Sequence, residues 1–105
     1  MGDWIAVEGE GALAEGETLA VDMDGMPVLL AKQGGCVYAM ENRCSHDGSE
    51  LNGGTLEDGV LVCPHHGARF ALKDGEALCA PAYEPLTVFS VRVEGGVIQL
   101  RDERW

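Results

Sequence analysis

Thr55-Leu56-Glu57-Asp58-Gly59-Val60-Leu61-Val62-Cys63-Pro64-His65-His66-Gly67 joins a turn, an apolar return run and a group of metal-binding side chains. Asp58-Gly59 favours positive backbone angles at two consecutive residues, which a two-residue hairpin requires. With that tip, Leu56 pairs with Leu61 and Thr55 with Val62, and the returning strand brings Cys63 opposite Gly54. Upstream lies a second group, Cys44-Ser45-His46. The hairpin therefore supplies a physical route by which two loops, distant in sequence, meet. Pro64 fixes one backbone angle in the second loop, and Gly67 permits conformations that a side chain would forbid.

Four more dipeptides of the same chemistry punctuate the chain: Asp24-Gly25, Gly34-Gly35, Asp74-Gly75 and Gly95-Gly96. Taking Gly95-Gly96 as a tip sets Val93 opposite Ile98 and Val91 opposite Leu100 on one face, with Arg92 and Gln99 on the other. Around Asp24-Gly25, Val21 falls opposite Val28 and Leu19 opposite Leu30. Pro27 in that hairpin argues an edge position or a bulge. The pattern predicts strands over 4–7, 18–22, 27–32, 36–41, 60–63, 71–72, 88–94 and 97–100, and a short helical turn fits within 8–16. No segment carries a sustained helical period. Many short strands between Gly-centred turns predict an all-β fold, an antiparallel sandwich or barrel.

At 105 residues the chain fits one domain with a single core. Met1-Gly2-Asp3-Trp4 lacks a basic leader, and no apolar run approaches the ~20 residues of a membrane span, so a cytoplasmic, membrane-free protein is expected. A formal net charge of −11 repels phosphate backbones and argues against nucleic acid as a partner. It favours steering toward proteins with basic patches. Of the 4 cysteines, Cys36 and Cys79 lie outside the two loops and are expected to be buried small hydrophobes in a reducing compartment.

Thiolates and neutral imidazoles bind soft and borderline metals, and here each loop offers one of each. A structural zinc site accepts the same Cys2His2 set, which leaves a zinc-binding interaction module as an alternative. Zinc modules group like ligands in Cys-x(2-4)-Cys and His-x(3-5)-His pairs, whereas one Cys and one His per loop suits a binuclear centre in which each loop serves both metals. An all-cysteine ferredoxin using Cys36, Cys44, Cys63 and Cys79 lacks the spacing of either common type.

The pattern Cys44-x-His46 with Cys63-Pro64-x-His66-Gly67 resembles the Rieske proteins, in which two histidines replace two cysteines on one iron of a 2Fe-2S cluster. The resemblance covers nearly the whole chain. It is strongest to the small Rieske ferredoxins of bacterial aromatic-ring dioxygenase systems, through Gly67-Ala68-Arg69-Phe70, Asp74-Gly75-Glu76-Ala77-Leu78, Ala80-Pro81-Ala82 and Val91-Arg92-Val93-Glu94. It implies a single Rieske (ISP-domain-like) domain over 1–105, with a small cluster-binding subdomain at about 42–82. Carried over by position, Cys44 and Cys63 would hold one iron, and His46 and His66 the other. His65 occupies the variable position of the second loop and reads as an exposed loop histidine. The segment with Pro81 would form a third loop over the cluster, with Leu51, Leu78 and Pro81 as apolar cover.

Departures from the respiratory branch of that family bear on potential. The extra cysteines of its ligand loops are replaced by Ser49 and His65, so no disulfide clasp can form. Its serine and tyrosine hydroxyls after the second histidine are replaced by Ala68 and Phe70. Without those donors the reduced cluster is less stabilised, and the expected potential lies low in the Rieske range, on the order of −150 mV.

The resemblance implies an electron carrier and not an enzyme. A flavin-dependent, NADH-oxidising ferredoxin reductase would reduce it, and a terminal Rieske non-haem iron oxygenase would accept its electrons. A monomer is expected, with Asp47, Glu50, Arg69 and Lys73 as docking candidates. A Rieske subunit of another redox system, nitrite-reductase-like or a redox sensor, is the alternative within the family.

Overall fold

The computed structural model describes residues 4–43, 50–51, 53–64, 67–78 and 85–101. Nine strands are found among them: β1 (Trp4–Gly9), β2 (Thr18–Met23), β3 (Met26–Gln33), β4 (Cys36–Glu41), β5 (Thr55–Glu57), β6 (Val60–Val62), β7 (Arg69–Ala71), β8 (Val88–Glu94) and β9 (Val97–Arg101). A short 3-10 turn, Glu10–Ala12, follows β1 within the stretch where a helical turn is expected. All pairings are antiparallel. One sheet has the order β1-β9-β8-β4-β3-β2, and a smaller one the order β5-β6-β7. The two edges of the large sheet, β1 and β2, approach each other, so the sheet nearly closes into a barrel. The small sheet lies within 42–82, the stretch where a subdomain is expected. No helix among the described residues is long and apolar enough to cross a membrane.

Turn chemistry explains four of the hairpins. Asp24-Gly25, Gly34-Gly35, Asp58-Gly59 and Gly95-Gly96 each have positive φ at both residues, the conformation whose twist matches paired strands. The expected registers follow: Val21 faces Val28, Leu19 faces Leu30, Leu56 faces Leu61, Val91 faces Leu100 and Val93 faces Ile98. On the opposite face of the last hairpin, Arg92 Nε donates to Gln99 Oε1 at 2.5 Å.

The fifth dipeptide behaves differently. Asp74-Gly75 closes a wider turn, in which the Gly75 amide donates to the Ala71 carbonyl at 2.8 Å and the Ala71 amide to the Glu76 carbonyl at 2.9 Å. Asp74 Oδ1 accepts the Glu76 amide, so this aspartate serves the turn through its side chain. Two strand boundaries move with it: β7 starts at Arg69, and Leu72 lies in the turn. Thr55–Glu57 forms a strand too, as its pairing with β6 requires.

Pro27 is neither at an edge nor at a bulge, because β3 pairs with both β2 and β4 in unbroken register. It lies just outside the β4 ladder, where its carbonyl accepts the Asn42 amide at 3.0 Å and only one strand-end bond is forgone. The bulge occurs in β1 instead, between Ala6 and Glu8.

Two apolar cores share one wall. Val28 through Ala31 are completely buried, an unbroken run that only a strand covered on both faces can bury. Val28 and Leu30 face the barrel interior with Phe89, Ile98 and Leu100. Leu29 and Ala31 face the other way with Met40, meeting Leu61, Phe70 and Leu72 of the small unit. Each fully buried large side chain contributes about 1.5–3 kcal/mol, so the small sheet is held by packing on the barrel wall more than by its short ladders. Its tip is tied down as well: the Gly59 amide donates to the Gln33 side-chain carbonyl.

Candidate metal centre

Cys63 follows β6 directly and is 2% exposed. Its position is set by backbone on both sides. The Cys63 amide donates to the Ala68 carbonyl at 2.7 Å, and the Gly67 amide donates back to the Cys63 carbonyl at 3.2 Å. Gly67 has φ +71 with open space around it, so glycine is needed there for its backbone conformation and not for room. The thiol belongs to the same core as Leu51, Leu61, Ala68 and Phe70. This is an apolar setting that removes water from the thiol.

Residues 50–51 and 53–54, which precede the hairpin, approach Cys63 through its pairing: Thr55 faces Val62, and Gly54 lies against the backbone at Val62. A Cβ at Gly54 would press on the Val62 carbonyl and lie 3.1 Å from the Leu51 carbonyl. Glycine there lets the chain leaving the first loop touch the chain entering the second. Leu51 binds at both backbone ends: its amide donates to Asn42 Oδ1 at 2.7 Å, and its carbonyl accepts the Gly54 amide at 3.0 Å.

Of the four expected ligands only Cys63 lies among the described residues. Cys44, His46 and His66 lie outside them, as do Ser49, Asp47, His65, Cys79 and Pro81. Cys36 is exposed, contrary to expectation. It is the first residue after the Gly34-Gly35 turn, opposite Gln33 at the sheet's end, where position overrides the general tendency of cysteine to be buried. Among the expected cover residues, Leu51 is buried in the core with Cys63, whereas Leu78 is 46% exposed. Ala68 and Phe70 are completely buried. Among the docking candidates, Glu50 and Lys73 are exposed, and Arg69 is paired with Glu57 at 3.1 Å.

Three contributors escape a reading of the sequence alone. Asn42 is the one buried polar residue in the described core. Gly54 and Gly75 each approach a carbonyl too closely for a side chain. Gly54 could have been suspected from its place opposite Cys63. Nothing local marks Asn42, whose partner lies across the whole first loop.

Glu15 organises the far end of the β3–β4 hairpin. Its carboxylate accepts the Gly34 amide at 2.6 Å and the Gly35 amide at 3.0 Å. Those two backbone donors, Gly35 foremost, hold its pKa below the ordinary 4.5, with a smaller contribution from Lys32.

A donor set of two thiols and two imidazoles, with one thiol already desolvated in an apolar shell, fits an iron-sulfur cluster of mixed ligation. Comparison with known proteins agrees. Residues 3–90 match the family model described as the Rieske [2Fe-2S] domain. The 3-phenylpropionate/cinnamic acid dioxygenase ferredoxin subunit of Escherichia coli (strain K12) is 48% identical over 85 residues, covering 80% of this chain and 79% of the relative. The ferredoxin-sized chain in a complex of reduced oxygenase and oxidised ferredoxin of carbazole 1,9a-dioxygenase superposes with a TM-score of 0.86 at 31% identity, over 93% of this chain and 92% of that one. A putative NADH-dependent nitrite reductase small subunit from Mycobacterium tuberculosis superposes with a TM-score of 0.88 at 25% identity, over 100% and 99% of the two chains.

Proposed function

This chain belongs to the Rieske [2Fe-2S] domain family, and on that basis we propose that Cys44 and Cys63 hold one iron of its cluster and His46 and His66 the other. The bound cluster supplies reversible one-electron chemistry near the lower end of the Rieske potential range, about −150 mV. The protein is an electron-transfer component, as its relatives named ferredoxin subunits are, and not a catalytic oxygenase. It takes electrons from a flavin-dependent, NADH-oxidising reductase and delivers them to a terminal aromatic-ring dioxygenase in the cytoplasm, as one domain over 1–105.

The observation that carries this reading is the placement of Cys63. Its thiol is buried in one core with Leu51, on the far side of the first loop in sequence, by a hairpin that ends one residue earlier. The surrounding side chains exclude water and fix the backbone, which keeps the rearrangement accompanying each electron small. The dioxygenase assignment rests on the 48% identity to the curated ferredoxin subunit; in superposition the carbazole-system ferredoxin is 31% identical and the nitrite reductase small subunit 25%, with like folds.

The reading is tested on the purified chain by its visible spectrum and by electron paramagnetic resonance after dithionite reduction. A red-brown protein with a Rieske signal is expected; a colourless protein carrying zinc refutes it. His66→Ala should abolish the signal and His65→Ala keep it, and the reverse would reassign the second loop. Electron delivery is then measured by mixing the reduced chain with a terminal dioxygenase and, separately, with a nitrite reductase large subunit. Faster oxidation by the latter would favour the second reading.

A further inference from the structure

We infer that Asn42 is a positioning residue for the cluster, its side chain holding together the two ends of the first ligand loop. This rests on the metal-centre reading above, because it concerns how Cys44 and His46 are delivered. Asn42 directly follows β4, and Leu51 stands on the far side of both ligands in sequence. The Leu51 amide donates to Asn42 Oδ1 at 2.7 Å, and both residues are buried.

The acceptor stands on fixed backbone. The Asn42 amide donates to the Pro27 carbonyl at 3.0 Å, and the Glu41 amide to the Thr87 carbonyl at 2.9 Å. The base of the loop is thereby tied to β3 and to the segment entering β8. Leu51 carries the constraint onward, because its carbonyl accepts the Gly54 amide and Gly54 lies against the Val62 carbonyl, one residue before Cys63. A displacement at the first loop is therefore felt at the ligand of the second.

Among the described residues, the other loop necks close through backbone bonds. Cys63 and Ala68 close the second ligand loop, and the Leu86 amide donates to the Gly75 carbonyl at 2.8 Å across the 79–84 segment. Truncating a side chain leaves those bonds available. At the first loop the closing bond vanishes with the asparagine side chain, and a buried amide stripped of its acceptor must open toward water. Groups that orient metal ligands in this way influence metal retention strongly.

The test compares the cluster-loaded parent with Asn42→Ala and Asn42→Asp. Three readouts are taken: absorbance decay in excess chelator, resonance line width after dithionite reduction, and hydrogen exchange at the Leu51 amide. Asn42→Ala is expected to release iron roughly tenfold faster or more, with broadened lines and an unprotected Leu51 amide. Asn42→Asp keeps an oxygen where Leu51 donates, so its release should stay within about twofold of the parent with Leu51 protected. Parent-like release and line width in Asn42→Ala overturn the inference, as does release from Asn42→Asp as fast as from Asn42→Ala. Should the alanine chain not fold, the aspartate chain decides alone: release within about twofold of the parent supports the inference, and faster release overturns it. A parent without any Rieske signal refutes the metal-centre reading itself, an outcome distinct from a parent with the signal whose variants match it.

Discussion

Replacing Gly75 by alanine should be among the most damaging single-methyl changes in this protein, and the structure separates its two causes. Gly75 has φ +76, where a non-glycine residue costs about 1–2 kcal/mol. The added Cβ would lie 2.5 Å from the Leu86 carbonyl oxygen and 3.0 Å from Val88 Cγ1. Backbone cannot swing aside as a flexible side chain can, and the same carbonyl region is held by the Leu86 amide bond to Gly75. Overpacking of this kind costs about 1–3 kcal/mol, so the total is about 2–5 kcal/mol. Gly95→Ala is the control: φ +61 with nothing within 4 Å, hence strain without crowding. At about 4–8 °C per kcal/mol for a domain of about this size, Gly75→Ala should melt at least ~8 °C below the parent and clearly below Gly95→Ala. Circular dichroism melts at equal cluster loading measure both. If the two variants melt within about 2 °C of each other, the crowding against Leu86 has no energetic weight and the reasoning fails.

Ala68→Ser and Phe70→Tyr should each raise the reduction potential in voltammetry by supplying a hydroxyl beside Cys63, and no upward shift in either would refute the stated origin of the low potential. Because Phe70 is completely buried opposite Leu61, its tyrosine variant should also lose about 1–3 kcal/mol of stability if that hydroxyl finds no acceptor. Glu15 has a lowered folded-state pKa, so its contribution is present above pH 4.5 and lost as pH falls through the lower folded value. The stability gap between parent and Glu15→Gln in urea titrations should therefore be full near neutrality and close in acid; a gap independent of pH contradicts the carboxylate clasp. A thiol reagent applied to the folded protein should label Cys36 and spare Cys63, as peptide mapping would reveal, and labelling of Cys63 first would contradict its burial.

What could be read from residues alone was what is decided locally. Asp58-Gly59 and Gly95-Gly96 set their hairpins because two adjacent positive φ values admit few residue types, and the facing pairs Leu56–Leu61 and Val93–Ile98 then follow by counting. Asp74-Gly75 has the same composition but a different role, decided by Leu86 and Val88 packed against it from later in the chain. The pairings of β1 with β9 and of β4 with β8 join segments with no shared turn, so nothing local announces them. At the site, residue chemistry and spacing nominate Cys44, His46, Cys63 and His66, of which the described residues include Cys63, whereas the support did not show itself: Asn42 and Leu51, nine residues apart, meet only through the fold.

The wall shared by the two cores has a consequence for how the chain finds its alignment. In most strands a one-residue slip is penalised because apolar side chains would turn to water. In β3 the residues from Val28 to Ala31 are all apolar and all buried, so a slipped strand would still present grease to both sides. The information that forbids the slip must lie at the strand's ends, in the Asp24-Gly25 and Gly34-Gly35 turns. The carboxylate of Glu15, gripping both glycine amides of the second turn, then acts as a latch on alignment, and through Leu29 and Ala31 it determines which surface the metal-bearing unit receives.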